Sequence, residues 1–331
     1  MLRNLRVGLP AAALVMSVTL SVPIAGDAGS RPATPDWTRS ASGEGWSSLC
    51  DHAMAYVGGD KVLLFHGTDT WVYDLSDDGW TFHVAPGPSF RGNHMLAHLG
   101  GGQVLLFGGP NVTPDDETWV YSLSEDAWTE RFPPVRPAPR FDQAMAFIRN
   151  GQALLFGGNP GSAPFSSALD DTWLFDVKSG TWLQRLPPTG PSPRYEHAMA
   201  SIGVNRVIVF GGSSPDGPDK NDTWVYDLTR NTWVQMFPAT APPPRRNHAM
   251  AYIGSDQVVL FGGYVPVPGD YQAADDTWVY DLSENTWTPQ APRTIPTPQA
   301  CHAMAPIASG QALMLGGGTW IYSARTNPKA P

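Results

Sequence analysis

Long apolar runs are missing from this chain once its first 25 residues are passed, and with them any further segment able to span a bilayer. Positive charge is short as well. Against 30 Asp and Glu stand 21 Lys and Arg, a net charge of -9 with no basic stripe, which excludes a nucleic-acid partner whose phosphates need a basic face. Cysteine is nearly absent, with only Cys50 and Cys301, and neither directly follows the N-terminal apolar run, so no lipid-attachment signal is present. No Gly-rich phosphate loop, zincin pair or Gly-x-Ser-x-Gly element occurs.

What is plentiful is Gly (34) and Pro (33) in 331 residues, which favours many turns over long helices. At 42% apolar and 11% aromatic the chain can still bury a large core. Arg3 and Arg6 precede an apolar run from Val7 to Ala25, followed by small residues, the layout of a signal peptide over 1–28. The rival reading is an uncleaved anchor; Pro10, Pro23 and the modest length favour cleavage. No stable membrane span then remains, and the mature chain works outside the cytoplasm, secreted or periplasmic.

One unit recurs six times. It starts at His52, His94, Gln143, His197, His248 and His302, at spacings of 42 to 54 residues. Thirteen residues on, four copies carry Phe-Gly-Gly (Phe107, Phe156, Phe210, Phe261), while the first reads Phe65-His66-Gly67 and the sixth Leu315-Gly316-Gly317. Thr-Trp-x-Tyr/Phe follows at Trp71, Trp119, Trp173, Trp224, Trp278 and Trp320, and a second tryptophan nine residues later at Trp80, Trp128, Trp182, Trp233 and Trp287. Each unit reads as four short strands joined by tight turns, and one such sheet must stack on neighbours to bury both faces. Twelve of the 13 tryptophans sit at repeat positions and are assigned to that stacking core. The repeat histidines read as structural groups hydrogen-bonded between blades rather than a metal ring, because Gln143 replaces one of them. The Asp170-Asp171 and Asp275-Asp276 pairs read as loop ends with local turn bonds.

The sixth copy ends before its second tryptophan. Trp37 lies fifteen residues before His52, the gap that separates Trp128, Trp182, Trp233 and Trp287 from the starts that follow them. Asp36-Trp37-Thr38-Arg39 is therefore expected to complete the sixth blade and close the ring, leaving no open edge. Closure would bring Cys50 near Cys301. A disulfide between them would stabilise by about 2–4 kcal/mol; the alternative is two thiols, since their registers differ by one residue.

The set of Pro-Arg-x-x-His, Phe-Gly-Gly, Trp-x-Tyr-Asp and a spaced second Trp resembles the kelch repeat over about residues 36–325. It points to the kelch-like superfamily that includes the galactose oxidase central domain, in a secreted bacterial form. The fold implied is an all-β, six-bladed kelch β-propeller over 36–325, after a linker at 29–35 and before a tail at 326–331. The resemblance also implies that blade connectors and the loops between second and third strands share one face around the channel mouth. Kelch receptors use arginines there to bind acidic peptide segments. Carried over, this makes Arg91, Arg140, Arg194 and Arg245 ligand contacts; the competing role is tying connectors to acidic neighbours.

Copper radical oxidases related to galactose oxidase share the architecture, with a Tyr directly before one ring His. Here those positions are Asp51, Asn93, Asp142, Glu196, Asn247 and Cys301. Tyr195 falls one place too early. No cofactor or metal is expected, and no catalytic residue is assigned.

Departures from the repeat mark further candidates. Trp46 stands where five connectors carry Pro, and His66 replaces a doublet glycine. The loops between doublet and Thr-Trp hold thirteen residues in blades three and five but only one, Gly318, in blade six. Phe165, Tyr264 and Tyr271 on the long loops, with Tyr195, Trp46 and His66, form the expected ligand cleft. The function expected is a monomeric binding module for a protein segment or an extracellular glycan, in the envelope or outside the cell. The alternative is a carbohydrate-active enzyme or oxidoreductase of galactose-oxidase type.

Overall fold

The computed structural model describes residues 34–42, 51–84, 86–109, 115–161, 167–215, 217–308 and 310–324. The signal-peptide segment, most of the linker, Trp46, Cys50, Phe165 and the 326–331 tail lie outside the described residues, and so does the expected Cys50–Cys301 bridge.

Each repeat forms one four-stranded antiparallel sheet, giving six blades. In blade five the strands are Ala249–Gly254, Gln257–Phe261, Thr277–Asp281 and Thr286–Gln290, hydrogen-bonded in that order. The residue pattern explains the burial. Second strands such as Val258–Phe261 are wholly buried because both faces press on neighbouring blades, so they read as continuous apolar runs rather than alternating ones. Innermost strands alternate small Ala with Met, and each touches the innermost strand of the next blade. His52–Gly58 touches Ala303–Pro306, which closes the circle.

The sixth blade is built from both ends of the chain. Its order is Asp36–Arg39, Thr319–Ser323, Gln311–Leu315, Ala303–Pro306, with Trp37 opposite Tyr322. Trp37 performs the same task as its five counterparts. Every fourth-strand indole donates its N–H to the Thr that opens the third strand of the preceding blade: Trp80 to Thr319, Trp128 to Thr70, Trp182 to Thr118, Trp233 to Thr172, Trp287 to Thr223, and Trp37 to Thr277, all at 2.9–3.0 Å. The Thr of Thr-Trp is thus a blade-to-blade acceptor, and the six bonds repeat around the whole ring. Trp37→Phe keeps the ring's bulk but orphans Thr277; the urea midpoint should report a loss of about 1–2 kcal/mol.

The turn between third and fourth strands has its own paired signal. Tyr73, Tyr121, Tyr226 and Tyr280 donate their hydroxyls to Asp78, Asp126, Asn231 and Asn285, each five residues on and each at positive φ. Blade three carries Phe175 without a hydroxyl, and there the turn residue is Gly180 (φ 64°). The side chain that tolerates the left-handed backbone is exchanged for glycine when it has no hydroxyl to accept.

Candidate functional site

The starts of the inner strands, the connectors and the loops after the doublets converge on one end of the central channel. The doublets make this approach possible. A Cβ on Gly157 would lie 2.7 Å from the Arg194 carbonyl oxygen of the next connector, and one on Gly158 would lie 2.8 Å from the Cβ of Gln143 in its own blade. The ring histidines cross the same seam. Nε2 of His52, His94 and His302 lies 3.1–3.2 Å from the carbonyl oxygens of Leu315, Phe65 and Phe261 in the preceding blade, and Gln143 Nε2 donates to Phe107 at 2.8 Å in the equivalent place. Burial, with the Arg91 charge second, pushes His94 down to about 3. His302 is likewise held at about 3 by burial and then the charge on His52. His94 and His302 are therefore neutral structural groups.

The four connector arginines stand differently from the expectation. Arg91, Arg140, Arg194 and Arg245 are all 0% exposed. Arg140 Nη1 and Nη2 bind Asp171 Oδ1 and Oδ2 at 2.5 and 2.8 Å, while Nη1 also reaches the Gly157 carbonyl and Nε that of Ala138, both at 2.9 Å. Arg194 with Asp222 and Arg245 with Asp276 repeat the two-pronged geometry, and Arg91 binds Glu117 at 2.6 Å. The acid is shared with the tryptophan two residues on: Trp119, Trp173, Trp224 and Trp278 each donate an indole N–H to it. Burial raises the Asp171 carboxyl, but the Arg140 hydrogen bonds and charge outweigh it and hold it below its ordinary range. Arg91, Arg140, Arg194 and Arg245 are therefore not ligand contacts at the mouth. They clamp each connector to the loop that opens the third strand of its own blade, where a desolvated guanidinium with fixed planar partners has no group left to offer. Asp171 and Asp276 are partners in that clamp rather than local turn ligands.

Nearer the channel runs a second ring, which the repeat pattern had served only to exclude tyrosine. Asp51, Asn93, Asp142, Glu196, Asn247 and Cys301 all have positive φ, between 48° and 75°. Around the ring the N–H of Asp142 donates to the Asn93 carbonyl, that of Glu196 to Asp142, Asn247 to Glu196 and Cys301 to Asn247, at 2.9–3.2 Å. All six line one cavity of about 170 Å³ together with the ring histidines.

The remaining candidates divide in two groups. Tyr264 and Tyr271 belong to an extra hairpin, Tyr264–Val267 with Asp270–Ala273, formed by the long loop of blade five. Tyr264 exchanges both backbone hydrogen bonds with Arg246, and the Arg246 guanidinium lies 4.2 Å from the centre of the Tyr271 ring. Tyr195 bridges Ser213 in the loop after the doublet of its own blade, and Glu196 beside it places Oε2 3.6 Å from Arg246 Nε. Arg246 was missed in the sequence because it follows the repeat arginine and matches no repeat position. His66 ends the second strand of blade one, opposite His52, with blade six between it and the tyrosines. Tyr264 and Tyr271 meet at Arg246, and His66 stands apart from them.

Comparison with known proteins agrees with this architecture. The KLHDC2/KLHL20/DRC7 Kelch-repeats domain matches residues 93–318. The chain belongs to the kelch-repeat family. Among its relatives an F-box/kelch-repeat protein of Arabidopsis thaliana is 27% identical over 223 residues, covering 59% of this chain and 45% of that protein. Kelch domain-containing protein 2 of Bos taurus is 31% identical over 151 residues, 45% of this chain and 36% of the bovine protein. Adagio-like protein 3 of Oryza sativa subsp. japonica is 25% identical over 191 residues, 55% of this chain and 30% of the rice protein. The kelch chain thus matches less than half the length of each of these relatives.

Proposed function

We propose that this kelch propeller is an exported interaction module that holds a segment of a protein partner at the connector-face mouth of its channel. The observation that carries the reading is the hairpin of blade five. It stands beside the mouth, adds two strands that no blade needs, and presents Tyr271, 42% exposed, stacked on Arg246. An aromatic ring held over a guanidinium is an amphipathic contact of the kind that interfaces use, and loops on a rigid scaffold are where binding groups concentrate. Arg3, Arg6 and the apolar run from Val7 to Ala25 support export.

The test is capture of envelope and culture-medium proteins on the immobilised full chain, quantified by mass spectrometry. Tyr271→Ala, and replacement of 265–272 by a Gly-Ser link, should each lower retention of a partner at least tenfold. Leu186→Ala and Phe237→Ala, which alter exposed apolar residues at the ends of the outer strands, should not. Equal retention by the hairpin variants would refute the site. Recovery of the chain in the cytosolic fraction with residues 1–28 intact would refute export.

A further inference from the structure

The mouth that the arginines vacate has the opposite polarity to the one the kelch resemblance implied. Its cavity is lined by the carboxylates of Asp51, Asp142 and Glu196, the amides of Asn93 and Asn247, and the ring histidines, with no Lys or Arg among the described lining residues. No hydrogen bond or ion pair reaches the Asp142 carboxylate among the described residues. The Glu196 carboxylate takes a side-chain hydrogen bond from Asn247, but its Oε2 is buried without a donor, and its nearest cation, Arg246, is 3.6 Å away and also faces Asp219 at 3.9 Å. One cation therefore stands against two acids on that side, and none against Asp142.

The ring histidines bring no positive charge to this wall, since burial holds His94, His197 and His302 at about 3. His94, His197, His248 and His302 are 2–7% exposed and lie in the cavity wall, each with a buried Nδ1 that has no hydrogen-bond partner. For His94 and His302 the Nε2 faces a carbonyl oxygen and must donate, so Nδ1 is left as a lone pair. Ionised carboxylate oxygens only accept, and the buried imidazole nitrogens offer the cavity no donor. A wall so rich in acceptors is complemented by a ligand that brings donors and positive charge. A metal ion is the poorer fit, since among the described residues no three His, Cys, Asp or Glu side chains stand close enough together to hold one. An ammonium needs no such convergence; it donates three hydrogen bonds and is tolerant of spacing.

We propose that the channel mouth receives the ε-ammonium of a lysine side chain from the protein partner, seated between Asp142 and Glu196. The inference rests on the interaction reading above and gives that partner its chemistry. Burial first, then the Glu196 and Asp51 charges, push the Asp142 carboxyl up to about 8, so it largely keeps its proton at pH 7.5 until an ammonium seated beside it draws that proton off. About 170 Å³ is room for a lysine stem and head rather than a folded segment.

The test is calorimetric titration of the full chain at pH 7.5 and low salt with N-acetyl-Gly-Lys-Gly-amide. Its lysine-acetylated form and Gly-Gly-Gly-amide, which has only a terminal amine, serve as comparators. One equivalent of the lysine peptide should bind, at least tenfold tighter than the acetylated form and fivefold tighter than the terminal amine. Asp142→Asn and Glu196→Gln should each weaken it at least fivefold, whereas Asp77→Asn on an exposed turn outside the cavity should leave it unchanged. Melting curves confirm that the variants are folded. Equal binding of the acetylated peptide, preference for the terminal amine, or indifference to both Asp142→Asn and Glu196→Gln would overturn the assignment. Hairpin-dependent capture of a partner alongside a failed lysine titration removes this inference alone. The converse result removes the hairpin site and keeps the lysine seat.

Discussion

Lowering the pH from 7 to 5 should cost this propeller about 4 kcal/mol of stability, most of it through groups that stay uncharged when folded. Burial holds His94, His197 and His302 at about 3, aided respectively by the charges on Arg91, Arg194 and His52. Burial, with Arg245 second, shifts His248 the same way. Unfolded, each would titrate near its ordinary value of about 6.5. Between the two values the unfolded chain binds more protons than the native one. The contribution is therefore fully present above pH 6.5 and lost as pH falls below it. At ~1.4 kcal/mol per pH unit, each of the three with a defined value loses about 2 kcal/mol by pH 5. Asp142 opposes them. Its folded value of about 8 lies above the ordinary carboxylate range, so it destabilises the fold when ionised and regains about 2–3 kcal/mol on acidification. Against the 5–15 kcal/mol typical of a domain, the remainder is large. Urea midpoints at pH 7, 6 and 5 measure it directly. The chain supplies its own control, because Gln143 already occupies one ring position and makes the same carbonyl bond. The triple variant H94Q/H197Q/H302Q should remove most of the slope. A native midpoint that does not move between pH 7 and 5 would refute the account.

Much of the architecture was legible because the repeat is written in residues whose jobs are local or periodic. The fifteen-residue gap from Trp37 to His52 revealed the closing strand, since Trp37 must reach Thr277 just as Trp287 reaches Thr223. The histidine role was readable from the Gln143 exchange for the same reason. The site was harder to read. Whether Arg140 faces a ligand or an acid depends on Asp171, which is 31 residues away and reaches it only after two strands have paired. A clue did exist within the chain. Blade six lacks both members at once, with Gln299 in the arginine place and Gly318 where the other blades carry the acid two residues before the Trp. Blade one hides this coupling, because Leu49 takes the arginine place there while Asp69 keeps the acid. The inner ring was visible as a run of Asp, Asn and Glu before the ring position, but its sign matters only when six blades place those residues around one cavity.

Removing the guanidinium of Arg140 should cost about 3 kcal/mol, and removing its partner at the same time should return most of that. The clamp has no solvent to fall back on. Arg140→Met would leave the Gly157 and Ala138 carbonyls without their side-chain donor and strand Asp171, whose side chain is only 21% exposed, with Trp173 as its one side-chain donor among the described residues. Breaking a buried pair from one side typically costs about 3–5 kcal/mol; the partial exposure of Asp171 favours the lower end. In Arg140→Met/Asp171→Asn the uncompensated charge is gone, an amide can still accept from the Trp173 indole, and blade six shows that a neutral amide and a glycine suffice in the same place, with Gln299 donating to the Gly316 carbonyl. A double-mutant cycle on urea midpoints should therefore show a coupling of at least 2 kcal/mol. The cycle also separates the two roles assigned to this arginine. A ligand-binding Arg140 would lose partner retention with little loss of stability and no coupling to Asp171. A clamp loses stability, couples strongly, and leaves the proposed binding through Arg246 and Tyr271 intact wherever the blade remains folded.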